Sequence, residues 1–252
     1  MKNPQNRIIL ALDVPDEKQA DRLLSVWDKG DQPFIKVGYQ LFFSAGTKWV
    51  EKRKKEGQSI FLDLKLHDIP STVAKGIESL SRLGVDFVTI HASGGTKMMK
   101  KAREAAEKSS YGSHRMKLLA VTQLTSTGQR MLNHELGIQG DVSGSVQKMA
   151  SLAYHAGMDG VICSGMEARL VKKVTSPGFL AVTPGIRPKG SSDHDQKRKV
   201  TPREAVLNGA DYLVVGRPVT QAPNPKRAFQ ELVEEIRKKG VVKRWHGHWK
   251  KR

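Results

Sequence analysis

Cysteine is nearly missing from this chain. Cys163 stands alone among 252 residues, which excludes an intrachain disulfide framework and fits a reducing interior. No apolar run approaches the roughly 18 residues needed to cross a bilayer. The first apolar stretch, in MKNPQNRIILALDVP, is too short for a signal peptide and runs straight into a strand-like segment. A soluble, cytoplasmic protein without a membrane partner is therefore expected. Acids are scarce: 25 against 43 lysines and arginines, a formal charge of +18. Part of the excess is local, because KKGVVKRWHGHWKKR (238–252) carries seven Lys/Arg and no acid. Such a tail suits nucleic acid or an anionic surface. Aromatics make up 6% of the chain and no nucleic-acid-binding motif is recognisable, so a solvated end is the simpler reading and no nucleic-acid partner is expected. His246 and His248 in that tail are too few to make a metal site alone.

What is present is alternation. Short β-rich runs occur at 8–13, 34–38, 60–65, 87–92, 117–124, 160–164, 179–183 and 212–216. Each is apolar nearly throughout, as strands buried on both faces should be. Stretches of helical length separate them, and Gly84, Gly157 and Gly209 each follow a last helical turn, the position of a helix C-cap. Eight strands alternating with helices predict an α/β fold, a single-domain (β/α)8 TIM barrel over 1–237 with the basic tail 238–252 appended. A doubly wound open sheet is the competitor, weakened because no Gly-x-Gly-x-x-Gly follows the first strand. The 20 residues from Pro184 to Arg203 form the longest stretch without an apolar pattern, which suits a lid or binding loop.

In such a barrel the C-terminal strand ends and the loops after them form the active face. The polar residues predicted there are Asp13 (strand one), Lys36 (two), Asp63 and Lys65 (three), Asp68 just beyond, His91 (four), and Thr122 and Thr125 (five). Asp63 and Lys65, two apart, point the same way along a regular strand. Carboxylates beside a lysine favour its ammonium form, and Lys36 on the neighbouring strand balances the second charge. After strand seven comes Pro184-Gly185-Ile186-Arg187, and strand eight ends Gly216-Arg217. These are the two loops that often hold a phosphate in barrels, where glycine admits the backbone and arginine offers a planar fork. His67 and His91 read as hydrogen-bonded structural residues, and Ser93-Gly94-Gly95 as a tight turn.

FLDLKLHDIP (61–70), with ALD at 11–13, KVG at 36–38, VTQLTS at 121–126, TPGIR at 183–187, DQ at 195–196 and VVGR at 214–217, resembles the orotidine 5'-phosphate decarboxylase family. The resemblance covers roughly residues 7 to 237. It implies a cofactor-free, metal-free decarboxylation of orotidine 5'-phosphate to UMP and CO2, the last step of de novo UMP synthesis. Lys65 would protonate C6, Asp63 would face the departing carboxylate, and Lys36 would complete the array and touch the ribose. Asp13 would bind a ribose hydroxyl and Thr125 the pyrimidine edge. Arg187, Gln196, Gly216 and Arg217 would hold the phosphate, and Pro184 would line the substrate site. Asp68, Ile69 and Thr72 would enter the site of a partner subunit, implying a homodimer with shared active sites. Asp-x-Lys-x-x-Asp also occurs in a Mg2+-dependent sugar-phosphate branch, which carries a strand-two glutamate ligand. Lys36 stands at or beside that position here.

Overall fold

The computed structural model describes residues 4–110, 115–188 and 200–237. Eight parallel strands close on themselves in the order β1 to β8: β1 Ile8–Ala11, β2 Phe34–Gly38, β3 Ile60–Leu66, β4 Phe87–His91, β5 Lys117–Val121, β6 Gly160–Ile162, β7 Leu180–Thr183 and β8 Tyr212–Val215. Closure is explicit, because β1 pairs with both β2 and β8. The open-sheet alternative is thereby set aside and the TIM barrel stands. The helices are α1 Glu17–Leu24, α2 Tyr39–Lys55, α3 Pro70–Ser81, α4 Gly95–Lys108, α5 Val142–His155, α6 Ala168–Val174, α7 Pro202–Leu207, α8 Arg217–Thr220 and α9 Pro225–Arg237.

The near-continuous apolar strands have a simple cause. Ile9, Ala11, Phe61, Phe87, Leu119, Leu180, Val182 and Val214 fill the barrel interior. Their neighbours Ile8, Leu10, Ile35, Leu62, Val88 and Leu118 face the helices in the outer core. Both faces are dry, so no strand shows a polar side. Strands one and five are shorter than their apolar runs. Leu12 N–H still reaches Lys36 O at 2.9 Å and Thr122 N–H reaches Ile162 O at 3.2 Å. Beyond those bonds the chain turns over the barrel mouth. The stretch read as an unpatterned loop to Arg203 is also shorter. Ile186 is fully buried and bridges to Val200, while a capping box between Thr201 and Glu204 starts α7.

Three helices end in one device. Gly84, Gly157 and Gly209 have φ of 67°, 82° and 99°, a conformation glycine adopts without a Cβ penalty. Each is followed by an apolar residue and an aspartate: Gly-Val-Asp86, Gly-Met-Asp159 and Gly-Ala-Asp211. Each aspartate precedes an even-numbered strand and accepts a hydrogen bond from the backbone of the odd-numbered strand before it. The donors are Ile60 N–H (2.8 Å), Leu118 N–H (2.9 Å) and Ala181 N–H (2.8 Å). Each is also paired with a base, Lys54 (2.8 Å), Arg115 (2.9 Å) and Lys172 (2.6 Å). At the end of the barrel away from the mouth, these clasps hold strand pairs together.

Asp211 and Lys172 are both largely buried, so deleting one strands the other's charge. Asp211→Ala should lower unfolding free energy by about 3 kcal/mol. Urea denaturation measures this, and the turnover of folded protein should stay unchanged.

Candidate active site

A cavity of about 600 Å³ opens at the C-terminal mouth of the barrel. Its walls include Asp13, Lys36, Asp63 and Lys65 from one side and Pro184, Gly185, Arg187, Gly216 and Arg217 from the other, with Thr125 and Ser126 between. Nine of the predicted site residues thus converge on one space. Asp68, Ile69 and Thr72 do not. Asp68 and Ile69 sit on the exposed turn between β3 and α3, and Thr72 is exposed in the first turn of α3; Asp68 Oδ1 accepts from Ile69 N–H at 2.6 Å. Within a single chain Asp68 does not join the charges at the mouth, because the strand ends at Leu66 and the turn leaves Asp68 exposed. Asp13 takes its place. Gln196 and the tail 238–252 lie outside the described residues.

The four charges form a chain of contacts. Lys36 Nζ lies 2.9 Å from Asp13 Oδ1 and 3.6 Å from Asp63 Oδ2, and Lys65 Nζ lies 2.9 Å from Asp63 Oδ1. Gly38 leaves room for the first contact, since a Cβ there would stand 3.1 Å from Lys36 Nζ and crowd it. Burial is the largest influence on Asp63 and pushes its pKa up, yet the ammoniums of Lys36 and Lys65 and the Thr89 hydroxyl together hold it below the ordinary carboxylate value. Burial likewise pulls Lys36 down, and Asp63 and Asp13 outweigh it to leave the ammonium above its usual value. Acid and base therefore stay ionised around neutrality, each because of the other.

The strand carrying Asp63 and Lys65 is not regular. Lys65 has φ 44°, and the β3–β4 register shifts between Leu62 and Leu66. Both side chains reach the cavity, but the period-two rule is not what brings them there. Sequence reading missed the residue opposite this irregularity, Thr89. It is fully buried, its hydroxyl donates to Asp63 Oδ1 at 3.0 Å, and it accepts from Lys65 N–H at 2.8 Å. Its inward parity with Phe87 and His91 on β4 was readable, but not its place opposite a bulge in β3. Tyr39 was also missed. Its ring lies 5.4 Å from Lys65 Nζ, and burial, then Asp63, keeps its phenol protonated. His67 and His91 lie with ring centroids 5.3 Å apart. Burial, then His67 and Lys65, lower the pKa of His91 against the opposing pull of Asp63. Cys163, expected on strand six, lies one residue past β6, buried beside the cavity. Ser93-Gly94-Gly95 forms a tight turn into α4.

A divalent ion does not fit this donor set. The Lys36 ammonium stands between Asp13 and Asp63, and among the described residues no group of three or more His, Cys, Asp or Glu is placed to hold a metal. The family model for orotidine 5'-phosphate decarboxylase / HUMPS matches residues 6–232. The chain belongs to the orotidine 5'-phosphate decarboxylase / HUMPS family. Within that family it is 45% identical over 232 residues to the orotidine 5'-phosphate decarboxylase of Lactococcus lactis subsp. cremoris strain MG1363, covering 92% of this chain and 98% of the relative. It is 45% identical over 226 residues to the Staphylococcus aureus strain Newman enzyme of the same name, covering 90% and 96%. The crystal structure of the orotidine 5'-phosphate decarboxylase from Lactobacillus acidophilus superposes with a TM-score of 0.83 at 39% identity, covering 92% of this chain and 99% of that one. No helix among the described residues is long and apolar enough to cross a membrane.

The charge chain has a pH signature. In the native protein Asp63's contribution is present above the ordinary carboxylate value and is lost as pH falls through its depressed value. In Lys36→Met, Asp63 loses an ammonium while its burial remains. Stability should drop by about 3 kcal/mol at pH 7.5 and recover in part on acidification to pH 5, an interval over which the parent's Asp63 contribution stays constant. Urea midpoints at the two pH values decide it.

Proposed function

We propose that this chain decarboxylates orotidine 5'-phosphate to UMP and CO2 without a cofactor, the last step of de novo UMP synthesis. The observation that carries the reading is the Lys65 ammonium held 2.9 Å from a buried carboxylate at the mouth of the barrel. Breaking the bond between C6 and its carboxylate leaves the electron pair in an orbital in the ring plane, where the π system cannot take it up. Other decarboxylases recruit a cofactor as electron sink. Here the developing charge would be stabilised by a pre-positioned cation. Lys65 then gives its proton to C6, yielding UMP, and is reprotonated from solvent. Asp63 faces the departing carboxylate, and Lys36 and Asp13 hold the ribose hydroxyls. Thr125 meets the pyrimidine edge. Arg187, Gly216 and Arg217, with Gln196, hold the phosphate while Pro184 lines the substrate site, and binding energy won at the phosphate is available at the reacting carbon.

The relatives' names and the unfit of the site for a metal favour this reading over the sugar-phosphate branch that the family model also covers. Turnover of orotidine 5'-phosphate, followed by its loss of absorbance, should be unaffected by EDTA, and a strict Mg2+ requirement would overturn the proposal. Lys65→Ala should lower kcat by at least about 10⁴-fold while UMP still binds. Arg217→Ala should instead weaken binding of the phosphorylated ligand by about 10- to 100-fold.

The active unit is proposed to be a homodimer sharing sites through Asp68, Ile69 and Thr72. Ile69 is 64% exposed and Phe43, stacked on Tyr39, is 77% exposed, an apolar rim beside the mouth that a second copy would cover. Lys65→Ala and Asp68→Ala chains, each inactive alone, should regain about a quarter of parent turnover when refolded together, since each mixed dimer then has one intact site. No recovery would remove the shared site.

A further inference from the structure

We infer that Thr89 is a positioning residue for Lys65 and Asp63, a role that rests on the decarboxylase reading above. Leu62 pairs with Val88 and Leu66 with Ile90. Three residues of β3, Asp63, Leu64 and Lys65, therefore lie opposite one residue of β4, Thr89. An insertion of this kind leaves the longer strand without backbone partners at the bulge. The Thr89 hydroxyl takes over that duty. It accepts from Lys65 N–H at 2.8 Å and donates its one proton to Asp63 Oδ1 at 3.0 Å, the use of a hydroxyl's lone pairs and hydrogen that its chemistry allows. The same carboxylate oxygen receives the Lys65 ammonium at 2.9 Å. A closed ring results: Lys65 backbone, Thr89 hydroxyl, Asp63 carboxylate, Lys65 side chain.

This ring explains the backbone of Lys65. It is the one non-glycine residue with positive φ among the described residues, and such a conformation persists where its surroundings over-determine it. Thr89 is fully buried, so water does not stand in for its hydroxyl. Without the hydroxyl, Lys65 N–H loses its partner and Asp63 one of its donors. The bulge then relaxes toward regular extended backbone, and the ammonium at the end of the lysine chain shifts with its Cα. Phosphate contacts on the far wall are untouched, so the loss falls on the chemical step.

Valine keeps the shape of threonine and removes both hydrogen bonds; serine keeps the hydroxyl. Thr89→Val should lower kcat by about 100-fold, with KM and UMP affinity within about threefold of parent, and Thr89→Ser should recover most of that loss. Thr89→Ala, which removes bulk, serves where valine does not fold, and the same division between kcat and KM is expected. A crystal structure of the hydroxyl-free variant should show Lys65 at negative φ. An unchanged kcat, an equal fall in serine and valine variants, or Lys65 still at positive φ on Asp63 would each overturn the inference. Absence of turnover in the parent would instead overturn the decarboxylase reading, and the variant's backbone would still report on Thr89.

Discussion

A charge cannot sit at the mouth of an apolar barrel unless another charge holds it there. Asp63 and Lys36 are both largely buried, and the burial that opposes each one's ionisation is overcome by its neighbours. Everything else at the mouth follows from that mutual dependence. Glycine at position 38 leaves room for Lys36 to reach Asp13, a bulged strand carries Lys65 back onto Asp63, and a threonine fixes the bulge. The array is rigid because no member can leave without exposing another to an uncompensated environment.

The barrel itself was legible in the sequence because both faces of every strand are dry. Runs such as IILA and YLVV allowed no reading other than buried strands, and each appears where it was placed. The run ends were less clear, since Asp13 and Gln123 follow apolar residues without a break while the ladder stops short of them. The charged side chains of the site were legible for a different reason: Asp and Lys inside apolar runs are too costly to be incidental. Thr89 was not, because threonine is at home in any strand and nothing in FVTIH marks a neighbour's bulge. Nor do the residues of Asp-x-Lys-x-x-Asp, apart from the family resemblance, say whether the second aspartate turns back to its own chain's cavity. That depends on where β3 ends and how the turn into α3 leaves it, which is tertiary information.

The two ends of the barrel also divide the work. At the mouth, polar groups are gathered around open space and face one another across it. At the opposite end they are consumed in closing the structure: Asp86 and Asp211 each take a backbone amide and a lysine on one oxygen, and Asp159 spends both oxygens on Leu118 N–H and Arg115. An aromatic cluster of Phe34, Phe61, Phe87 and Tyr212, in edge-to-face contacts of 5.0 to 6.2 Å, seals the interior between them. The clasps at the closed end thus serve cohesion alone, while the charges at the mouth serve both cohesion and chemistry.

The recurrence of the Gly-x-Asp clasp has a geometric consequence. It joins β3 to β4, β5 to β6 and β7 to β8, always an odd strand to the even one after it. β1 and β2 have no such clasp; Lys36 ties them to β3 through Asp13 and Asp63 at the mouth, and the Gln58 amide donates to Pro33 O between β2 and β3 at the other end. Six of the eight strands are therefore grouped as two-stranded staves, and lines of cleavage, whether for stepwise opening or for recombining halves, run between those staves rather than within them.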